Sequence, residues 1–343
     1  MKKYLLIIIL LITIAPAVVC DLNNDDELNI IDIVIMVNSI LTNGDNFCDM
    51  NGDNELDIID IVQSVNAILL GFNMEFITIP GGDYYLPGND EQYSVDYSYQ
   101  IGKYEVTNQQ YLSYLNNAIS SGDIWIGNCI QNIGDSCVNG NYDFTGETIE
   151  KSYFVLGDPR QYEIVNYQYG IINWVDGEFQ INDDLYLDHP VIFVSWFGAG
   201  HFAQFNGYRL PTYDEWIRAA RAETTWKWPW GNNGSNMFLR INTINSQFGG
   251  DVFQHPWPDG TTPVGLYNGE NGTLDNASTF GLYDLLGNTW EWISDPILYN
   301  NELRKSLGGS WDGEFSKSKL KWVVRISEGH PTWSTGFRVV KDN

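Results

Sequence analysis

Residues 281–292 read Gly281-Leu282-Tyr283-Asp284-Leu285-Leu286-Gly287-Asn288-Thr289-Trp290-Glu291-Trp292. Two carboxylates, Asp284 and Glu291, stand seven positions apart, with the backbone carbonyls of Gly287 and Thr289 between them. Oxygen donors gathered this densely in a glycine-punctuated stretch read as a site. Downstream come Gly308-Gly309-Ser310-Trp311 and Gly336-Phe337-Arg338. Paired glycines let backbone approach backbone, and with no helix following they do not form a phosphate cradle. Upstream stand Phe76-Ile77-Thr78-Ile79-Pro80-Gly81-Gly82, Tyr104-Glu105-Val106-Thr107-Asn108 and His189-Pro190-Val191 leading into Val194-Ser195-Trp196. Tyr208-Arg209-Leu210-Pro211-Thr212 with Glu215-Trp216, then Pro229-Trp230-Gly231-Asn232, complete the series. Arg209 and Arg338 sit among apolar residues. Each is expected to pair with a buried acid or with loop carbonyls, because a guanidinium fork satisfies several acceptors at once.

Around these motifs the chain predicts three helices. Thr107 caps one running to about Asn117, Ser195 begins a second, and Thr212 caps a third with Glu215 three residues on, a capping box. Residues 120–190 and 225–280 are rich in Gly, Asn, Asp and Trp and carry no sustained period. Loops packed on a small sheet follow, an α+β domain of low regular content spanning 75–343. Trp226, Trp228 and Trp230 alternate beside Pro229 and read as core filler rather than as a sugar platform.

Composition narrows the partners. The 343 residues carry 18 Lys+Arg against 44 Asp+Glu, a formal charge of −26. That balance excludes nucleic acid and anionic membrane surfaces, which need a basic footprint. Lys2 and Lys3, the apolar run Leu5–Ile14 and Ala15-Pro16-Ala17 form a Sec signal peptide over 1–19. The product is expected to be secreted or cell-surface associated, with no membrane span. Lipoprotein anchoring at Cys20 is disfavoured by the bulk of Val19. Four cysteines in an exported chain point to disulfides, and spacing favours Cys20–Cys48 and Cys129–Cys137. The four histidines are scattered, which disfavours zinc.

Residues 20–41 recur at 48–69, with fifteen of 22 positions identical. Each copy opens with oxygen donors at EF-hand spacing: Asp21, Asn23, Asp25, Glu27, Asn29 and Asp32, then Asp49, Asn51, Asp53, Glu55, Asp57 and Asp60. A hard cation needs six or seven oxygens converging from one loop, and this spacing supplies them. Apolar residues then follow helical spacing: Ile30, Ile33, Val34, Val37, Ile40 and Leu41, with their counterparts from Ile58 to Leu69. The expectation over 20–72 is a small all-α, duplicated EF-hand-like domain holding two Ca2+ ions.

Ending each loop in Asp at position 12, this segment resembles dockerin domains. The resemblance implies docking onto a cohesin-bearing scaffold or surface protein, commonly in polysaccharide-degrading systems. It departs from many dockerins in its place after the signal peptide and in Ile30-Ile31 and Ile58-Ile59 at recognition positions.

The motif series from Phe76 to Arg338 resembles the formylglycine-generating enzyme / sulfatase-modifying-factor family, a variant of the C-type-lectin-like fold. The resemblance implies one or two further Ca2+ ions. Asp284 and Glu291 would ligate one by side chain and Gly287 and Thr289 by carbonyl. Asn242 (or Asn245) and Asp259 would serve a second. It also places Ser310 and Trp290 along a substrate groove. Oxidation of a substrate cysteine in that family rests on two copper-binding cysteines after the Gly-Gly-Ser motif. The matching positions here are Gly313 and about Ser318, and no cysteine follows Cys137. Cu(I) selects thiolates, so no copper is expected. The reading is a calcium-stabilised binding module for an unidentified peptide or glycan, carried on a dockerin-like tether. The alternative is an enzyme of the same family that modifies exported sulfatases or performs other oxidative chemistry.

Overall fold

A computed structural model describes residues 22, 30–42, 61, 74–130, 136–144, 147–156, 172–181, 183–243, 260–297, 300–313, 320, 324–329 and 331–342. The chain divides into two compact units, Met1–Leu69 and Leu70–Asn343. In the first, α1 (Ile30–Thr42) buries Asp32, Ile33, Met36 and Ser39. The Leu22 amide donates to the Asp32 carboxylate at 2.7 Å. Of the twelve expected loop ligands only Asp32 is among the described residues. Cys20 and Cys48 also lie outside them.

The second unit forms where local signals are strong. Helix α2 (Asn108–Ser121) starts at a capping box in which Thr107 takes the Gln110 amide and Gln110 returns to the Thr107 amide. Helix α3 (Trp196–Phe205) is capped by Ser195, and α4 (Tyr213–Arg221) by Thr212 with Glu215 closing the box. All three start at the residues expected. Side-chain acceptors there meet amides that would otherwise lack partners.

Among the described residues five small sheets accompany these helices. β1 (Phe76–Ile79), β4 (Tyr99–Gly102) and β14 (Val340–Asp342) make an antiparallel sheet in the order β1-β4-β14. A second sheet has the order β12-β11-β10-β13, using β10 (Trp290–Ile297), β11 (Asn300–Leu307), β12 (Val324–Ser327) and β13 (Thr335–Phe337). Its β10–β13 pair is parallel. β2 (Gly82–Tyr85) pairs with β3 (Gln92–Val95), and β8 (Ile172–Val175) with β9 (Glu178–Ile181).

The fifth sheet corrects the expectation of loops across 120–190. β5 (Ile124–Gly127), β6 (Ser136–Phe144) and β7 (Glu147–Leu156) form a three-stranded antiparallel sheet there. β6 reads Ser-Cys-Val-Asn-Gly-Asn-Tyr-Asp-Phe, in which Val138, Gly140, Tyr142 and Phe144 alternate with Asn139, Asn141 and Asp143. It is held by two flanking ladders, by the buried Ser152 hydroxyl donating to Asn139 Oδ1 at 2.7 Å, and by the Cys129–Cys137 disulfide, the pairing expected.

Two cores result. Tyr111, Tyr114, Phe154, Phe202, Trp292 and Phe337 anchor the first, with Tyr111 and Phe202 stacked at 5.7 Å. Ile79, Ile101, Trp216, Leu282, Leu285 and Val340 anchor the second. Trp228 and Trp230, their rings nearly parallel and 6.2 Å apart, pack half-buried against this second core, the role expected of them. Among the described residues no helix is long and apolar enough to cross a membrane.

Helix α3 lies so close to β7 that a Cβ on Gly198 would stand 2.3 Å from the Tyr153 carbonyl oxygen. Gly198→Ala is therefore expected to cost about 1–3 kcal/mol through backbone displacement. A calorimetric melt should record a fall in Tm on the order of 5 °C.

Candidate functional site

The stretch 281–292 does not close on itself; it closes on Glu105 and Arg338. Asp284, Gly287 and Asn288 all take positive φ. At Gly287 the need for glycine is doubled, because a Cβ there would stand 2.6 Å from the Asn242 carbonyl oxygen. This winding aims Asn288 and Thr289 at one acid. Asn288 Nδ2 donates to Glu105 Oε2 at 2.7 Å, and the Thr289 amide and hydroxyl both donate to Glu105 Oε1, at 3.0 and 2.5 Å. Asn288 Oδ1 in turn accepts from the Thr262 amide and from Asn242 Nδ2.

Glu291, fully buried, pairs with the fully buried Arg338. Nε reaches Glu291 Oε2 at 2.6 Å and Nη2 reaches Oε1 at 2.7 Å. Trp216 Nε1 adds a third donor to Oε2 at 2.7 Å. The remaining Arg338 hydrogens go to the carbonyls of Gly102, Lys103 and Tyr283. Asp284 accepts from the Gly265 amide and from Asn276 Nδ2. Burial first, and the Asp284 and Glu291 charges next, push the Glu105 carboxyl up. Burial likewise raises Asp284, against the donors it accepts. Burial would lower Arg338, but Glu291 reverses that and holds it protonated.

The expected calcium donors Asp284 and Glu291, with the carbonyls of Gly287 and Thr289 between them, lie within this hydrogen-bonded network. The cation facing Glu291 is a guanidinium, and both acids accept N–H donors. Among the described residues no group of three or more His, Cys, Asp or Glu is placed to hold a metal. For the second expected site, Asn242 donates its side-chain amide to the Gly260 carbonyl and Asn288 Oδ1, while Asp259 and Asn245 lie outside the described residues.

The two residues expected along a groove are buried. Ser310 has no exposed surface and Trp290 is 8% exposed. The Ser310 hydroxyl donates to Asp312 Oδ1 at 2.5 Å, and Trp333 Nε1 donates to Asp312 Oδ2 at 2.7 Å. Asp312 thus ties Trp333 against the loop that carries Ser310. Gly313 closes a tight turn onto the Ser310 carbonyl, and Ser318 lies outside the described residues. Cys129 and Cys137 are bonded to each other and supply no thiolate. These residues do not fit a copper ion.

An open cleft of about 530 Å³ lies elsewhere on the same unit. Its apolar walls come from Tyr97, Tyr142, Trp196 and Leu210, and its polar groups from Arg209, Thr212, Gln204 and Asp342. Arg209 spans two carboxylates, reaching Glu215 at 2.7 and 2.5 Å and Asp342 Oδ1 at 2.9 and 2.8 Å. It therefore pairs as expected. The Tyr97 hydroxyl donates to Glu215 Oε1 at 3.0 Å, and burial with the Glu215 charge pushes it up to about 12. Burial alone would raise Glu215; Arg209, the Thr212 amide and Tyr97 overcome it and leave the carboxyl below the ordinary glutamate range.

Sequence reasoning missed Glu105, Asp312 and the cleft. Glu105 carried one local signal, an isolated acid in the run before a helix cap. Nothing in sequence linked it to Asn288.

Residues 71–343 match the family model described as sulfatase-modifying factor enzyme 1-like domain. A Mus musculus protein named inactive C-alpha-formylglycine-generating enzyme 2 is 35% identical over 128 residues, 36% of this chain and 38% of that protein. A formylglycine-generating enzyme of Mycobacterium tuberculosis is 36% identical over 114 residues, 31% of this chain and 33% of that enzyme. The matched region thus spans less than two fifths of either relative. Among solved structures, PvdO from Pseudomonas aeruginosa aligns at a TM-score of 0.50 and 16% identity, over 79% of this chain and 95% of that one. At that identity the likeness concerns the fold.

Two outcomes follow from the ion pairs. Arg338→Met removes the partner of a buried carboxylate and should destabilise by about 3–5 kcal/mol in denaturant titration. Glu215 has its carboxyl depressed on folding, so its contribution is present above about pH 4.3 and lost as pH falls through the lowered value. Melting curves from pH 6 to pH 3 should therefore fall more steeply for the wild type than for Glu215→Gln.

Proposed function

The chain belongs to the sulfatase-modifying factor enzyme 1-like family, and on that premise we propose that its large unit is a binding domain without copper-dependent oxidation. One observation carries this reading. The sequence holds no cysteine after Cys137, and Cys137 is bonded to Cys129. Gly313 stands at a position that would have to carry a thiol. Cu(I) needs soft sulfur, and neither Gly313 nor Ser318 can supply it. The Asp312 bridge between Ser310 and Trp333 supports the same reading, because it engages the Ser310 hydroxyl with a carboxylate of the chain itself. The open cleft beside Arg209 offers a place for a ligand instead.

The rest of the proposal concerns residues 1–72. A signal peptide over 1–19 would export the chain. The duplicated loops would bind two calcium ions, and the unit would tether the binding domain to a cohesin-bearing scaffold or surface protein. Support comes from the repeated donor spacing and from the closure of the Leu22 amide onto Asp32, the last ligand of the first loop. The exposed apolar side chains of α1, Ile30, Val34 and Leu41 among them, give such a partner a surface.

The test is direct. Purified chain incubated with copper, oxygen and a cysteine-bearing sulfatase peptide should yield no aldehyde by mass spectrometry and retain no stoichiometric copper. Aldehyde formation would overturn the reading in favour of an oxidising enzyme. Chelation by EDTA should abolish helical signal from the first unit and any capture by cohesin, while leaving the main melting transition of the second unit in place.

A further inference from the structure

Resting on the reading of the large unit as a binding domain, we propose that the cleft beside Arg209 binds an uncharged saccharide. The argument begins with Tyr97. It is 48% exposed, yet its hydroxyl is anchored to Glu215 and its ring packs edge-on against Tyr99 at 6.1 Å. A half-exposed ring held at both ends is a fixed apolar face, and the C–H face of a pyranose matches it.

The polar groups around that ring carry the second part. Sugar hydroxyls both donate and accept, so a saccharide site needs both capacities close together. Asp342 gives both of its Arg209 contacts to Oδ1, and Oδ2 accepts no hydrogen bond among the described residues. Thr212 uses its oxygen to accept the Glu215 amide, which leaves its O–H to donate. The side-chain amide of Gln204, exposed at the rim, makes no hydrogen bond within the described residues and offers a donor and an acceptor. A volume of about 530 Å³ lies within the range of ligand sites.

Charge decides the class of sugar. Among the residues lining the cleft the cation is Arg209, and two carboxylates already hold it; Arg304, behind Trp196, is held by Glu328. Asp342 faces solvent with a 71% exposed side chain, and the chain as a whole carries −26. A sulfate, phosphate or uronate would meet a negative field and a guanidinium already committed. Neutral hydroxyls meet neither obstacle.

The experiment is isothermal titration of the full chain with tetrasaccharides of cellulose, xylan, mannan and chitin, and with a sulfated chondroitin tetrasaccharide. The expected result is binding of at least one neutral sugar and none of the sulfated one. Tyr97→Ala should weaken that binding about tenfold or more, by loss of the stacking face. Gln204→Ala, which removes no contact of the fold, should weaken it several-fold without changing the melting temperature. That variant keeps the test sharp should Tyr97→Ala fail to fold. Failure of all four neutral sugars overturns the proposal. So does equal or tighter binding of the sulfated sugar, or binding that Gln204→Ala leaves untouched. If the sugars fail and the copper assay yields no aldehyde, only the saccharide inference falls. An aldehyde in that assay removes the binding-domain reading whatever the sugars do.

Discussion

The ion pair between Arg338 and Glu291 is the joint on which the large unit turns. Arg338 follows β13, which runs parallel to β10, and Glu291 lies on β10 itself. The same guanidinium reaches the end of β4 through the carbonyls of Gly102 and Lys103, and the 281–289 loop through Tyr283. Glu291 passes the connection to α4 through Trp216. Two sheets, one helix and the 281–289 loop thus meet at one planar cation. A buried ion pair need not stabilise a fold, since desolvation can exceed the attraction. Here every oxygen of Glu291 and both terminal nitrogens of Arg338 have partners, and this is the condition under which such a pair holds one geometry.

A second consequence concerns Glu105. A fold with little regular structure leaves many amides outside ladders, and buried amides must still find acceptors. Glu105 meets that demand for the loop: it accepts the Thr289 amide and hydroxyl and the Asn288 side chain, and fixes a turn that runs through positive φ at three positions. Asn288 extends the grip to Thr262 and Asn242. Carboxylate and amide side chains here do the ordering that strands do elsewhere.

What could be read from sequence was local. Thr107, Ser195 and Thr212 announced three helix starts because a cap involves residues two or three positions apart. The need of Arg338 for an acid was legible from its apolar neighbours; that the acid is Glu291 was not, since the two stand 47 positions apart. The β5–β6–β7 sheet was missed because the Asn- and Gly-rich composition reads as loop and masks the short alternation Val138, Gly140, Tyr142, Phe144, while the partner strands, the disulfide and the buried Asn139–Ser152 bond give no local signal. Glu105 was missed for a related reason, standing 183 positions from Asn288. The burial of Ser310 and Trp290 was not legible either, because the bonds of Asp312 to Ser310 and Trp333 follow no spacing rule.

Fold and function separate at this point. The loop after Gly308-Gly309 carries Gly313 on a turn to the Ser310 carbonyl, and Asp312 ties Ser310 to Trp333. The cleft at Arg209 arises from a different need. Helix α4 must have its first turn capped, and Glu215 caps it only because Arg209 and Tyr97 neutralise and orient its carboxylate. Asp342 completes that network from β14 with a single oxygen. The second oxygen, the Thr212 hydroxyl and the face of Tyr97 are left at the surface by a structure built to hold a helix end. Groups fixed for a structural reason bind with little loss of side-chain entropy. A ligand site can therefore arise at α4 without any change to the framework that Arg338 secures.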